Sequence, residues 1–185
     1  MKKTIFLLAF YMLLIVGCSP ATQDRPTEAE VSVFKKNVST FQIWKKSHEL
    51  EDIDMFMDIL ADSLQWSPPN YEGEILGKKE LKAALSEVYF PLFENIQFTE
   101  GEGLPYPDAP GYWGGSTFSS RDEMALSFNP NSLRVYGLWT AKHSETGTPI
   151  QFKWFALIDF NEDGKIVKFS DYMDVTGVLM QLTTP

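Results

Sequence analysis

The chain of 185 residues is poor in the side chains that form covalent cross-links and hold most transition metals. Cys18 is the only cysteine, so no disulfide can form within the chain. His48 and His143 are the only histidines and are far apart in sequence, which disfavours a zinc or iron site of the usual histidine and cysteine type. We therefore expect neither a bound metal nor another cofactor.

Positive charge is also scarce. The chain has 16 Lys and Arg residues against 25 Asp and Glu residues, which gives a net charge of -9 at pH 7. A surface of this sign repels phosphate backbones, so we expect no nucleic acid partner. The sequence also lacks the glycine and lysine spacing of a phosphate-binding loop and the G-x-S-x-G motif of serine hydrolases.

The N-terminus contains a strongly apolar stretch of the kind found in signal peptides. Lys2 and Lys3 precede an uncharged and mostly apolar stretch from Thr4 to Gly17. About 14 residues are too few to cross a bilayer comfortably, which takes about 20, but they match the apolar region of a secretory signal peptide. The stretch ends in Ile15-Val16-Gly17-Cys18, which resembles the lipobox of bacterial lipoproteins.

The resemblance to a lipobox implies that residues 1–17 are a signal peptide and that Cys18 becomes the lipidated first residue of the mature protein. One acyl chain binds membranes only reversibly, but bacterial lipoproteins usually carry three, so the resemblance implies firm membrane attachment in the cell envelope. Ser19 stands where an aspartate often marks inner-membrane retention in enterobacteria, which favours the outer membrane. The alternative is an ordinary signal peptide whose cleavage site falls near a cysteine.

The remaining chain divides into a tether and one domain. Residues 18–30 contain two prolines and no large apolar side chain, and we interpret them as the lipidated cysteine and a flexible tether. Residues 31–185 have the size of a single domain. Apolar residues recur at helical spacing over 31–46, 50–61 and 78–93, and the last of these helices is expected to stop near Pro91.

Alternating apolar residues predict the strands. Short strands are expected at 63–66 and around Ile96 and Phe98. Longer alternating segments are found at 133–141, 150–160 and 166–173, and the last two are joined by a tight turn at 161–164.

Between these strands, residues 101–120 hold three prolines and five glycines and are typical of a long aromatic loop. Helices followed by an antiparallel meander predict an α+β fold.

Three short segments near the C-terminus carry a family resemblance. They are Asp163-Gly164-Lys165-Ile166-Val167, Asp171-Tyr172-Met173-Asp174 and Gly177-Val178-Leu179. Together with the order of helices and strands, they resemble the nuclear transport factor 2-like superfamily, which includes SnoaL-like polyketide cyclases, ketosteroid isomerases and limonene-epoxide hydrolases. The resemblance covers residues 31–185. It implies a cone in which a curved, mostly antiparallel sheet wraps around three N-terminal helices and encloses a pocket, and it makes a homodimer plausible.

Asp171 matches the position of the catalytic aspartate in limonene-epoxide hydrolases and SnoaL-like cyclases. The resemblance therefore implies a general acid or base in an apolar cavity, where burial raises the pKa of a carboxyl group toward neutrality. The Arg-x-Asp motif of the epoxide hydrolases is replaced by Gly137 and Trp139, which argues against epoxide hydrolysis. The alternative is that Asp171 lines the pocket or is structural, with Asp174 as the N-cap of a following helix.

Aromatic residues are the other candidate site residues. We expect these to line a pocket for a small apolar or planar ligand: Trp66, Tyr71, Trp113, Trp139, Trp154 and Tyr172. Trp113, on the long loop, is the candidate lid residue. The alternative is that most of these side chains belong to the core, because aromatic residues dominate core burial.

Two functions remain open at this point. The first is a membrane-anchored lipoprotein that holds a small apolar ligand or a partner in its cone. The second is a SnoaL-like isomerase, cyclase or hydrolase that uses Asp171. The segment Asp159–Gly164 matches the start of a calcium loop, but Ser170 stands where a bidentate glutamate is needed, so we interpret the segment as a hairpin turn.

Overall fold

The computed structural model describes residues 26–70, 72–102, 111–114 and 128–183, and for Tyr112 and Trp113 it describes the backbone alone. The predicted signal peptide, Cys18, most of the predicted tether and Tyr71 lie outside the described residues. The predictions made for them therefore stay predictions.

The first helix of the described residues, α1 (Glu28–Glu49), begins inside the predicted tether and runs past its predicted end at residue 46. A capping box fixes its start. The Glu30 backbone N–H donates to the Thr27 hydroxyl at 3.2 Å, and the Thr27 N–H donates to the Glu30 carboxylate at 2.8 Å. The buried residues of α1 form one helical face: Asn37, Phe41, Trp44, Ser47 and His48.

The second helix, α2 (Ile53–Asp58), is shorter than predicted because strand β1 (Leu60–Ser67) starts before the expected helix end. Asp52 caps α2, since the Met55 N–H donates to its carboxylate at 2.9 Å. Ile59 and Leu60 are both buried. A short apolar run of this kind does not distinguish a helix end from a strand start, which explains the error.

The third helix, α3, changes its winding before Pro91. It is an α-helix over Lys78–Ala83, a π-helix over Ala84–Tyr89 and an α-helix again over Phe90–Leu92. Proline has no N–H to donate, and its ring crowds the carbonyl four residues earlier. We attribute the wide π-helical turn to this crowding. The helix ends close to its predicted stop.

Six strands of the described residues form one sheet. Besides β1 they are β2 (Phe93–Glu100), β3 (Tyr112–Gly114), β4 (Ser132–His143), β5 (Pro149–Phe160) and β6 (Ile166–Met173). The path is β1-β6-β5-β4-β2, and β3 pairs with β4 next to β2. Within the described part of the chain, β1 and β6 make the one parallel pair. The α+β class with a curved, mostly antiparallel sheet is confirmed.

The helices cover one face of the sheet, and the core lies between them. Directly paired residues of neighbouring strands share a face. Trp154 of β5 therefore lies beside its partners Gly137 and Met173 on the covered face. Phe41 of α1 stacks on Trp154 with ring centroids 6.5 Å apart and meets the edge of Phe98 at 5.9 Å.

The last helix, α4 (Val175–Thr183), follows β6 directly. The Gly177 N–H donates to the Asp174 carboxylate at 2.8 Å, so the predicted N-cap is confirmed. Gln181 attaches α4 to β5, since it accepts from the Gln151 N–H and donates to the Gln151 carbonyl, both at 2.9 Å. In the described ranges, no helix is both long enough and apolar enough to cross a membrane.

Candidate ligand pocket

A cavity of about 300 Å³ lies between the helices and the covered face of the sheet. Its described walls include eight aromatic side chains: Trp44, Phe56, Trp66, Tyr89, Trp139, Phe152, Trp154 and Phe169. Asp171 and His48 also line it. The cavity is thus an apolar chamber with a small number of polar groups, which is the usual composition of a small-molecule site.

The sheet register places Asp171 among the tryptophans. Trp66 of β1 is paired with Phe169 of β6, and Asp171 is the next residue of β6 on that face. On the other side of β6, Asp171 is paired with Ala156 of β5, which is two residues from Trp154. The carboxylate therefore lies between one tryptophan from each neighbouring strand.

Both of these indoles donate to the carboxylate. Trp66 Nε1 donates to Asp171 Oδ1 at 3.1 Å, and Trp154 Nε1 donates to Oδ2 at 3.4 Å. Burial raises the pKa of Asp171 to about 6, although the two indole hydrogen bonds act in the opposite direction. Asp171 is therefore held in place by two neutral donors and titrates close to neutral pH.

His48 is a second polar group in the wall, contributed by the last turn of α1. Its Nδ1 lies 3.0 Å from the Trp44 carbonyl, which can only accept, so Nδ1 carries the proton and Nε2 has the free lone pair. Burial lowers the pKa of His48 to about 4, against a weaker raising effect of this hydrogen bond. His48 is therefore neutral at pH 7.

Tyr89 reaches the same cavity from the π-helical part of α3. Burial, and then the nearby charge of Asp171, raise the pKa of the Tyr89 hydroxyl above its usual range. The hydroxyl therefore stays protonated. Tyr89 and Asp171 both line this cavity.

The segment after β1 forms one wall of the chamber. Trp66 and Leu76 exchange two backbone hydrogen bonds of 2.7 Å, which fold this segment back on itself. Pro68 and Pro69 lie between Trp66 and Leu76 in the chain, and both line the cavity. Val88 of α3 lines it as well, yet it is 61% exposed, so it marks the mouth.

No protein-family model matches the chain. No curated protein matches it in sequence either. Solved structures do: PrhC from Penicillium brasilianum has a TM-score of 0.60 at 12% identity, over 81% of this chain and 87% of that chain. A nuclear transport factor 2-like protein from Anabaena variabilis has a TM-score of 0.56 at 16% identity, over 83% of this chain and 97% of that one.

The Mycobacterium tuberculosis protein RV0760c, solved in complex with estradiol-17beta-hemisuccinate, has a TM-score of 0.55 at 13% identity, over 76% of this chain and 95% of that chain. The chain has the nuclear transport factor 2-like fold. Identities this low establish the architecture, and the chemistry of the pocket has to be argued from its own residues.

Three of the predicted aromatic residues meet in the pocket of this nuclear transport factor 2-like fold, namely Trp66, Trp139 and Trp154. Tyr172, which was predicted to line the same pocket, does not line this cavity. Side chains alternate along a strand, so Asp171 in the pocket places Tyr172 on the opposite face of the sheet. There it is 53% exposed and stacks on Phe155 at 5.6 Å.

Two other predicted pocket residues lie beyond what the structure describes. Tyr71 is outside the described residues. Trp113 is described by its backbone alone, in β3, where it pairs with Arg134 of β4. Its suggested role as a lid stays a prediction.

Gly137 and Trp139, the two positions matched to the Arg-x-Asp motif of the epoxide hydrolases, have surroundings that leave no room for that motif. At Gly137, an added Cβ would meet the Phe98 ring and the Thr99 carbonyl, so no arginine fits there. Trp139 is buried and lines the pocket in the place of the second carboxylate.

The predicted turn between β5 and β6 is confirmed as a hairpin. The Gly164 N–H donates to the Asn161 carbonyl at 2.9 Å, and Asn161 accepts in turn from the Lys165 N–H at 2.9 Å. Asp159 belongs to β5, where burial raises the pKa of its carboxyl. The described residues contain no group of three or more His, Cys, Asp or Glu side chains that could hold a metal ion.

Sequence reasoning missed His48 and Tyr89 as pocket residues. A usable signal existed for His48: the series Phe41 and Trp44 continues at helical spacing to position 48 if α1 is allowed to run past residue 46. The sequence has no such signal for Tyr89, because the π-helical turn changes the face of α3 on which Tyr89 lies.

Proposed function

We propose that the protein binds a small, largely apolar molecule in the pocket between α1, α3 and the sheet. The observation that carries this proposal is the chamber of about 300 Å³, walled by aromatic rings and holding a fixed carboxylate. Its volume is at the small end of the range for ligand pockets, about 300–1,000 Å³. The aromatic walls supply affinity through buried apolar area, and Asp171 supplies orientation.

Calorimetric titration of the purified protein with a panel of small neutral apolar compounds tests this proposal. Val88 lies at the mouth of the pocket, so Val88→Trp should weaken the binding of every compound that binds the wild type. Its exposed neighbour Glu87 is not among the lining residues, and Glu87→Trp is the matched control. No saturable heat from any compound, or equal binding by Val88→Trp, would contradict the proposal.

A second candidate function is proton transfer by Asp171. The observation that favours it is the carboxylate itself, which is fixed at both oxygens and has a pKa of about 6. A base with a pKa near the working pH removes a proton most effectively. The protonated Tyr89 hydroxyl could donate to oxygen charge that develops on a substrate.

Exchange of α-protons for deuterium in a small cyclic ketone, followed by NMR in deuterated water, tests this candidate. The wild type should speed the exchange, and the rate should rise with pH through about 6. Asp171→Asn should bring the rate down to that of buffer, whereas Asp163→Asn in the exposed turn should leave it unchanged. Equal exchange with Asp171→Asn would remove Asp171 from the mechanism.

We further propose that the domain is attached to a membrane of the cell envelope through lipid on Cys18. The support is the positive start, the uncharged run and the Ile15-Val16-Gly17-Cys18 sequence. Because α1 begins at Glu28, residues 19–27 separate the lipid from the fold and reach at most about 30 Å. Radioactive palmitate should label the wild type and not Cys18→Ser. Absence of label on the wild type would refute the anchor.

A further inference from the structure

The charge inside the pocket is negative and uncompensated. Asp171 is the one carboxylate among the described lining residues, which include no lysine and no arginine. Among the described residues, the side-chain partners of the carboxylate are the indole N–H groups of Trp66 and Trp154. Indoles are neutral donors, so they hold the carboxylate without cancelling its charge.

The rings of the wall have the same electrostatic preference. The face of an aromatic ring is negative, and a cation within about 6 Å of its centroid is attracted to it, most strongly by tryptophan. Four of the tryptophans whose side chains the structure describes line this pocket: Trp44, Trp66, Trp139 and Trp154. The walls and the carboxylate therefore both favour a positive charge and disfavour an anion.

We propose that the ligand of this pocket is a small organic cation, an alkylated ammonium group whose charge lies between Asp171 and the tryptophan faces. This inference rests on the proposed binding function and narrows it to one chemical class. The alkyl groups fill the apolar chamber. The carboxylate has about four lone-pair positions, of which the indoles use two, so the ligand can approach the others.

The other titratable groups in the pocket do not compete with such a ligand. Burial lowers the pKa of His48 to about 4, so His48 carries no charge at neutral pH. The Tyr89 hydroxyl stays protonated and neutral. Asp171 is thus the lining group that titrates near neutrality, and a cation prefers its ionised form. Affinity for a cation should therefore rise about tenfold from pH about 5 to pH about 8, while affinity for a neutral molecule stays level.

Two isosteric probes isolate the charge. Choline and 3,3-dimethylbutan-1-ol have nearly the same shape, since a tert-butyl group replaces the trimethylammonium group. Calorimetric titration of the purified protein at pH about 8 should show choline binding at least about tenfold more tightly, a difference of about 1.4 kcal/mol. The anion 3,3-dimethylbutanoate should bind more weakly than the alcohol.

Variants assign the preference to the carboxylate. Asp171→Asn should lose most of the preference for choline and keep only the part that comes from the tryptophan faces. Asp163→Asn, which makes the same chemical change in the exposed turn, should keep the whole preference. Val88→Lys adds a positive charge at the mouth of the pocket, and it should weaken the binding of choline more than the binding of the alcohol. Ser86→Lys, also on α3 but not among the lining residues, is its control.

The outcomes separate this inference from the proposed function. If the wild type binds the alcohol as tightly as choline or more tightly, the proposal of a cationic ligand is overturned, and the proposal of an apolar pocket remains. If neither probe gives heat but other neutral apolar compounds still bind, the proposal of a cationic ligand is again the only one overturned. Failure of every compound would overturn both proposals.

Discussion

Asp171→Asn should change the way in which the stability of the protein depends on pH. In the folded protein, burial raises the pKa of Asp171 from 3.8 to about 6. Between these values the folded state holds a proton that the unfolded chain has released. The free energy of unfolding of the wild type therefore falls as pH rises through this window, and an asparagine at this position cannot contribute to the fall.

The size of the effect follows from the shift. A difference of about two pKa units, at about 1.36 kcal/mol per unit, is worth about 3 kcal/mol. Relative to the wild type, Asp171→Asn should thus gain about 3 kcal/mol between pH about 4 and pH about 7 and then level off. The amide accepts through one atom instead of two, so one indole N–H loses its acceptor. That loss costs about 1–3 kcal/mol and does not vary with pH.

His48 makes the comparison with a variant necessary. Its folded-state pKa of about 4 lies below the ordinary value of 6.5, so the unfolded chain binds the extra proton between these values. This contribution raises stability with increasing pH and opposes that of Asp171. The wild type alone can therefore show little net slope. The difference between the two proteins cancels the contribution of His48 and exposes that of Asp171.

Urea unfolding followed by tryptophan fluorescence, at one-unit steps from pH about 4 to pH about 8, gives the required free energies. Asp163→Asn in the exposed turn is the control for the change in net charge. A difference between Asp171→Asn and the wild type that stays constant over this range, or that falls with pH, would refute the argument that Asp171 is ionised against a burial penalty.

Further predictions concern other parts of the molecule. In NMR titrations, the His48 ring should titrate near pH 4, and a midpoint near 6.5 would show that it is not buried. Phe41→Ala should lower the free energy of unfolding by about 3–5 kcal/mol in urea denaturation, because Phe41 is fully buried in the core. Gly137→Ala should cost about 1–3 kcal/mol by the same measurement, because the new Cβ meets Phe98. Asp174→Ala should cost about 1 kcal/mol through loss of the α4 cap, as seen in thermal unfolding monitored by circular dichroism.

The order of helices and strands could be predicted because the spacing of apolar residues that identifies each element lies within its own segment of the sequence. The stripe that includes Phe41 and Trp44 has helical spacing, and β4 to β6 alternate strictly enough to show which residues share a face. The parallel pairing of β1 with β6 joins residues about a hundred positions apart, such as Trp66 and Phe169. No local pattern contains that information.

Residues that line the cavity could be predicted where a single strand determines their position, and they were missed where several elements converge. Asp171 and Trp154 could be assigned from alternation together with the family resemblance. The same alternation should have excluded Tyr172, since consecutive residues of a strand face opposite sides. His48 lies at the end of α1, and Tyr89 lies in the π-helical part of α3. Packing sets where α1 ends and how α3 winds, so the positions of both residues in the pocket depend on the tertiary structure.

The π-helical turn of α3 has a kinetic consequence. Its hydrogen bonds span five residues, as in the bond from the Phe90 N–H to the Leu85 carbonyl, and such turns are rare and often mark functional sites. This turn carries Val88 at the mouth and Tyr89 in the wall, whereas the opposite wall is built of paired strands. We expect the turn to open more easily than the sheet, and its amides to exchange fastest around the pocket. The rates at which a ligand enters and leaves would then be set by one helical turn, and affinity by the tryptophans and Asp171.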